Sequence, residues 1–80
     1  MAKQPKGYVS DTLAALAHDL INDNVTLAEA KAWLEKAYVE EAIDRTDGHI
    51  AGAARRVRMD RSNFRKLLKR HGLWQQDGPR

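Results

Sequence analysis

The chain has 80 residues, enough for one small domain with a thin hydrophobic core but not for an enzyme with a deep substrate pocket. It has no Cys, which excludes a disulfide framework, a thiolate zinc site and a thiol nucleophile. Residues 1–47 hold five Lys/Arg and nine Asp/Glu, a net −4, whereas residues 48–80 hold nine and two, a net +7, so a polyanion such as nucleic acid is the expected partner of the C-terminal half.

The two ends of the chain, residues 1–9 and 74–80, show no apolar period, and we expect both to be flexible. One domain therefore occupies residues 10–73. No stretch reads as a signal peptide or a membrane span, which favours a cytoplasmic, nucleoid-associated protein without a membrane partner.

The first predicted helix covers about residues 11–22, with Ser10 or Asp11 as its cap. Its apolar residues follow helical spacing from Leu13 to Ile21. The polar run at 22–24 ends the helix, because Asn and Asp side chains compete for backbone hydrogen bonds.

The second predicted helix covers about 27–45 and begins at a capping box formed by Thr26 and Glu29. It carries two apolar stripes: Leu27, Ala30, Trp33, Leu34, Ala37, Tyr38 and Ala42 on one side, and Ala28, Ala32, Val39 and Ile43 on the other. A helix that is apolar on two sides needs two sets of neighbours, which indicates a dimer. The alternative is that Val39 and Ile43 pack on the C-terminal helices.

Two shorter helices follow, at about 49–57 and 61–71. Asp60 stands where the last helix needs an N-cap, and Gly72 with Leu73 is typical of a Schellman-type stop. The pair therefore predicts a helix-turn-helix.

The last helix is the strongest functional signal in the chain. Its apolar residues Phe64, Leu67, Leu68 and His71 form one stripe, and polar or cationic residues cover the rest. Residues 55–69 contain seven cationic residues and one acidic residue, Asp60. This excess of positive charge indicates a DNA-binding face rather than an ordinary solvated one. Arg and Asn can read base edges, and Lys can neutralise phosphates. The alternative is an interaction module that docks this basic helix on an acidic protein or membrane surface.

Catalytic and metal sites are not expected. His18, His49 and His71 lie on three different segments without metal-ligand spacing, and no Ser accompanies a His/Asp pair. We therefore predict that the protein is not an enzyme and has no cofactor and no metal. Trp33 and Trp74 are expected to be packing residues rather than platforms for bases.

Two segments resemble the Fis-type helix-turn-helix family, which occurs in Fis and at the C-terminus of NtrC-like, sigma-54-dependent activators. The segment from Leu27 to Lys31, with Glu35 and Tyr38, resembles the region before that family's motif. Gly48-His49, Ala53-Ala54 and residues 60–73 then resemble its G-N, A-A and R-x-x-L-x-[RK]-x-L-[KR]-[KR]-x-G-[IL] pattern.

The resemblance implies an all-α, four-helix Fis-like domain from a bacterium, with a C-terminal helix-turn-helix, that dimerises through its two N-terminal helices. The dimer interface would include Leu13, Leu16, Leu20, Leu34 and Tyr38. Base contacts are expected from Arg61, Ser62, Asn63 and Arg65, and phosphate contacts from Arg55, Arg56, Arg58, Lys66, Lys69 and Arg70.

Arg58 replaces the glycine that is usual in the family's turn, so either the turn avoids left-handed geometry or Arg58 is strained. The expected function is that of a homodimeric, sequence-specific transcriptional regulator with residues 61–71 in the major groove of double-stranded DNA. If the chain is part of a larger activator, RNA polymerase or other regulatory domains are further expected partners.

Overall fold

The computed structural model describes residues 4–74, and these residues form four α-helices joined by turns, with no strand among them. The all-α prediction is therefore confirmed. The helices are α1 (Gly7–Asn22), α2 (Leu27–Arg45), α3 (Ile50–Arg56) and α4 (Arg61–Arg70). Residues 1–3 and 75–80 of the ends predicted to be flexible lie outside the described residues.

Helix α1 begins at Gly7, so the predicted start near residue 11 and the prediction that residues 7–9 are flexible are wrong. No proline lies between Lys6 and the end of α1, so the helix can extend back to the Lys6 carbonyl, which accepts a 2.8 Å bond from the Ser10 amide. Ser10 is thus an interior helical residue rather than a cap. Helix α1 ends at Asn22, as predicted.

The capping box that starts α2 is present. The Glu29 amide donates to Thr26 Oγ1 at 3.1 Å, and the Thr26 amide donates to Glu29 Oε1 at 3.0 Å. These reciprocal bonds satisfy two backbone donors that a helix start would otherwise leave unpaired.

All four helices end in the same Schellman geometry, in which the amide two residues past the C-cap returns to a carbonyl five residues earlier. The four bonds run from Val25 to Leu20, from Gly48 to Ile43, from Met59 to Ala54 and from Leu73 to Leu68. Each turn needs a left-handed residue, and these are Asn24, Asp47, Arg58 and Gly72. Gly72 and Leu73 therefore occupy the positions that the sequence indicates.

The chain divides into two compact units, Met1–Ala32 and Trp33–Arg80. The first unit contains α1, in which no residue is buried. Its partly buried residues are Leu20, Val25 and Ala30.

The second unit contains the hydrophobic core: Val39 and Ala42 from α2, Ala53 and Ala54 from α3, and Phe64, Leu67 and Leu68 from α4. Ile43 packs against this core, so Val39 and Ile43 do contact the C-terminal helices, as the alternative interpretation had it. The sequence pattern places Ala42 on the stripe with Trp33 and Tyr38, but in the structure Ala42 is buried in the same core as Val39. Small residues on α3 let that helix approach α4 closely, and together they form the helix-turn-helix.

Within residues 4–74, no group of three or more His, Asp or Glu side chains is arranged to hold a metal ion. No helix in that range is long and apolar enough to cross a membrane.

Candidate nucleic-acid interface

Helix α4 has one buried stripe, formed by Phe64, Leu67 and Leu68, and its other side chains are exposed. At about 100° per residue, Ser62, Lys66 and Lys69 lie directly opposite that stripe. Arg61 and Arg65 lie on one flank, and Asn63 and Arg70 lie on the other. The face of α4 that points to solvent is therefore cationic, with hydroxyl and amide groups near its first turn.

The other cations expected to contact phosphates precede this helix in the chain. Arg55 and Arg56 form the last turn of α3, and Arg58 lies in the turn that leads to α4. All three are exposed and therefore accessible to a polyanion.

Arg58 adopts the left-handed conformation, with φ at +62°. Of the two possibilities left open by the sequence, the structure has the strained one. The side chain costs stability at this position because its Cβ crowds the backbone, as a glycine would not. With Arg58 instead of glycine, the turn exposes one more cation to solvent.

Asp60 occupies the N-cap position of α4, as predicted, with an extended backbone at φ −73° and ψ 152°. Its carboxylate accepts no capping hydrogen bond from the helix amides, so the side-chain cap that we expected is not formed. Its negative charge still lies at the positive end of the helix dipole, where it is favourable.

Glu35 on α2 binds the C-terminal end of α4. Its Oε1 atom lies 2.7 Å from His71 Nε2 and 3.1 Å from Arg70 Nη1. An ionised carboxylate only accepts hydrogen bonds, so His71 Nε2 must carry the proton. The hydrogen bond from His71 has the largest effect and lowers the pKa of Glu35 below its ordinary value. Burial opposes this shift, and the positive charge of Arg70 adds to it.

The contacts of Glu35 involve Arg70 and His71, two residues of the last predicted helix. The His71 side chain is only 9% exposed, in agreement with its predicted place on one stripe with Phe64, Leu67 and Leu68. Arg70 has a carboxylate partner, so part of its charge is already neutralised within the chain. Sequence reasoning missed the role of Glu35, because the partners are 35 and 36 residues apart and no local pattern links them.

Trp74 packs against the core and also lies beside two cations of α4. The centre of its ring is 5.4 Å from Arg65 Cζ and 6.0 Å from Lys69 Nζ. The prediction that Trp74 packs rather than offers a free platform agrees with its partial burial. No local pattern in the sequence indicates the two cation–π contacts.

An open groove lies beside the other flank of α4. Asn63 and Lys66 line it together with Tyr38 from α2 and with Val57 and Met59 from the turn. The residues proposed for base contact are thus divided: Asn63 borders this groove, and Arg65 lies against Trp74.

The residues proposed for the dimer interface are uncovered within one chain. Leu13, Leu16, Leu34 and Tyr38 are all exposed, Tyr38 at 61%, and Leu20 is only partly buried. Trp33 is 56% exposed. Within the described residues, α1 and the Trp33–Tyr38 segment of α2 thus each carry exposed apolar side chains.

Comparison with known proteins places this geometry in a family. The model of the bacterial regulatory protein family named after Fis matches residues 32–71, which is half of the chain. A nitric oxide reductase transcription regulator of Cupriavidus necator is 44% identical over 59 residues, covering 74% of this chain and 12% of the relative. No solved structure matches.

The family and the relative are both described as regulatory, not as enzymes. The match covers the core of the second unit, the turn at Arg58 and all of α4. It favours DNA over an acidic protein or a membrane surface as the partner of the basic helix. The chain therefore belongs to the Fis family of bacterial regulatory proteins, and it carries a DNA-binding helix-turn-helix at its C-terminal end.

Proposed function

We propose that the protein is a sequence-specific transcriptional regulator that binds double-stranded DNA as a homodimer, with α4 of each chain in the major groove. The observation that carries the proposal is the exposed cationic face of α4, which continues onto the turn through Arg58. An α-helix fits the major groove, where Arg, Asn and Ser side chains can reach base edges.

The proposed contacts divide into two classes. Arg61, Ser62, Asn63 and Arg65 lie in the first half of α4 and contact bases, because a recognition helix places its N-terminal residues nearest the base edges. Arg55, Arg56, Arg58, Lys66, Lys69 and Arg70 contact phosphates. Arg70 is the weakest of these, because Glu35 already neutralises part of its charge.

The homodimer is supported by the unburied state of α1. An isolated helix of 16 residues is marginally stable in water, and this one buries none of its residues within its own chain. We propose that a second copy covers Leu13, Leu16 and Leu20 of α1 and Leu34 and Tyr38 of α2. Two copies of α4 related by a two-fold axis would then bind a palindromic site.

The chain spans 12% of its relative, a transcription regulator. RNA polymerase or other regulatory domains are accordingly proposed as partners only within a larger activator.

The experiment compares Arg61→Ala with Lys66→Ala on a selected site and on random duplex, across a range of salt concentrations. Arg61→Ala should cost about 1 to 3 kcal/mol on the selected site and relax discrimination at one base pair per half-site. Lys66→Ala should weaken binding to both duplexes alike and reduce the salt slope by about one unit. Unchanged affinity and sequence preference in Arg61→Ala would exclude Arg61 from the base contacts.

A further inference from the structure

Trp74 lies just past the end of the recognition helix and is fixed there from two directions. Its backbone follows the Schellman stop, in which the Leu73 amide donates to the Leu68 carbonyl at 2.8 Å. Its ring is partly buried and packs against the core. The indole is therefore a rigid surface beside α4 rather than a loose end.

Two cations of α4 lie at this ring, at 5.4 Å for Arg65 and 6.0 Å for Lys69. Both distances lie within about 6 Å of the ring centre, where the electron-rich face of an indole attracts a cation. Arg65 and Lys69 are one helical turn apart, so their like charges repel each other. The ring offsets this repulsion and restricts both long side chains.

Contact with the ring leaves Arg65 able to bind DNA. The residue is exposed, and its guanidinium has five N–H donors, so donors remain free for a base or a phosphate. An ordered guanidinium loses less conformational entropy when it grips a guanine or a phosphate. A mobile arginine side chain would lose more conformational entropy on binding.

We propose that Trp74 is a positioning residue for DNA binding, which holds Arg65 and Lys69 in place for their contacts. This inference rests on the proposed role of α4 in the major groove. Trp74 itself need not touch DNA.

The test is a mutant cycle measured by fluorescence anisotropy with a labelled random-sequence duplex at several salt concentrations. Trp74→Leu keeps an apolar side chain against the core and removes the aromatic face, whereas Trp74→Phe keeps a weaker one. Each change is made in the unmutated chain and in the double variant Arg65→Ala, Lys69→Ala. Circular dichroism and urea unfolding record whether each variant is folded.

Trp74→Leu should weaken binding by about three- to tenfold, which is the range of a partly exposed cation–π contact. Trp74→Phe should recover part of the loss. In the double variant, Trp74→Leu should have no further effect, because the cations through which it acts are absent.

Three results would overturn the inference while leaving the proposed function intact. They are unchanged binding by Trp74→Leu, tighter binding by that variant, and an undiminished loss in the double variant, which would mark a purely structural role. If Trp74→Leu fails to fold, the same cycle with Trp74→Phe decides, since a loss that persists without the cations is structural. Failure of the unmutated chain to bind the duplex would overturn the proposed function and this inference together.

Discussion

Arg58 combines an unfavourable backbone conformation with a charge that the proposed interface uses. Arg58→Gly should raise the free energy of unfolding by about 0.5 to 1 kcal/mol, because glycine adopts φ near +62° without the Cβ clash. The same variant should bind DNA more weakly and with a smaller salt slope, since one phosphate contact is lost. Urea unfolding and anisotropy measure the two effects.

Arg58→Ala is the matched control for this prediction. It removes the charge but keeps a Cβ in the left-handed conformation, so DNA binding should fall as in Arg58→Gly without any gain in stability. A stability gain in both variants would show that the charge, not the backbone, is the source of the cost.

Glu35 makes stability depend on pH in a defined direction. Its pKa is lowered in the folded chain by His71 and Arg70, so the folded state binds a proton less readily than the unfolded chain does. The stabilisation is therefore fully present above the unfolded pKa of about 4.3 and is lost as the pH falls through the lower, folded pKa. Urea unfolding as a function of pH should show this loss, and Glu35→Gln should remove it.

Glu40→Gln is the control for that titration, because Glu40 is an exposed carboxylate on the same helix. It should keep the pH dependence of the unmutated chain. An acid-induced loss that is the same in Glu35→Gln as in the unmutated chain would mean that the contact with His71 and Arg70 does not contribute to stability.

At the scale of the helices, local patterns predicted most boundaries, and contacts between distant residues were not predictable. The capping box at Thr26 and the stop at Gly72 act over three to five residues, so the sequence displays them directly. The predicted start of α1 was wrong because a Ser such as Ser10 can lie either at a cap position or inside a helix. The Glu35–His71 hydrogen bond and the contact of Arg65 with Trp74 depend on how whole helices pack. No local pattern in the sequence predicts such packing.

Helix α1 supplies the element-scale prediction. Leu16 is 43% exposed in the single chain, so a charge there should disturb assembly more than the fold of one chain. Leu16→Glu should shift the protein towards monomer and weaken DNA binding, because each monomer has only one half-site of contacts. Ala15→Glu places the same charge about 100° around α1 from Leu16, outside the stripe of Leu13, Leu16 and Leu20, and should leave assembly unchanged. Size-exclusion chromatography with light scattering compares the two, and equal masses would contradict the proposed interface.

At the scale of the whole molecule, the acidic and basic halves of the chain have different proposed roles. Residues 48–80, at +7, include the proposed DNA-binding surface, and residues 1–47, at −4, include the exposed apolar side chains of the proposed dimer interface. A dimer that binds two half-sites one turn of DNA apart needs its two copies of α4 about 34 to 36 Å from each other. Assembly and DNA binding would then depend on each other.

Sedimentation equilibrium of the unmutated chain over a micromolar concentration range, alone and with a duplex, tests the proposed homodimer. A homodimer should give a species of twice the 9.1 kDa chain mass, with two chains on each duplex site. Its thermal midpoint should also rise with concentration, because association stabilises the folded state. A single 9.1 kDa species at every concentration, binding the duplex as one chain per site, would refute the homodimer.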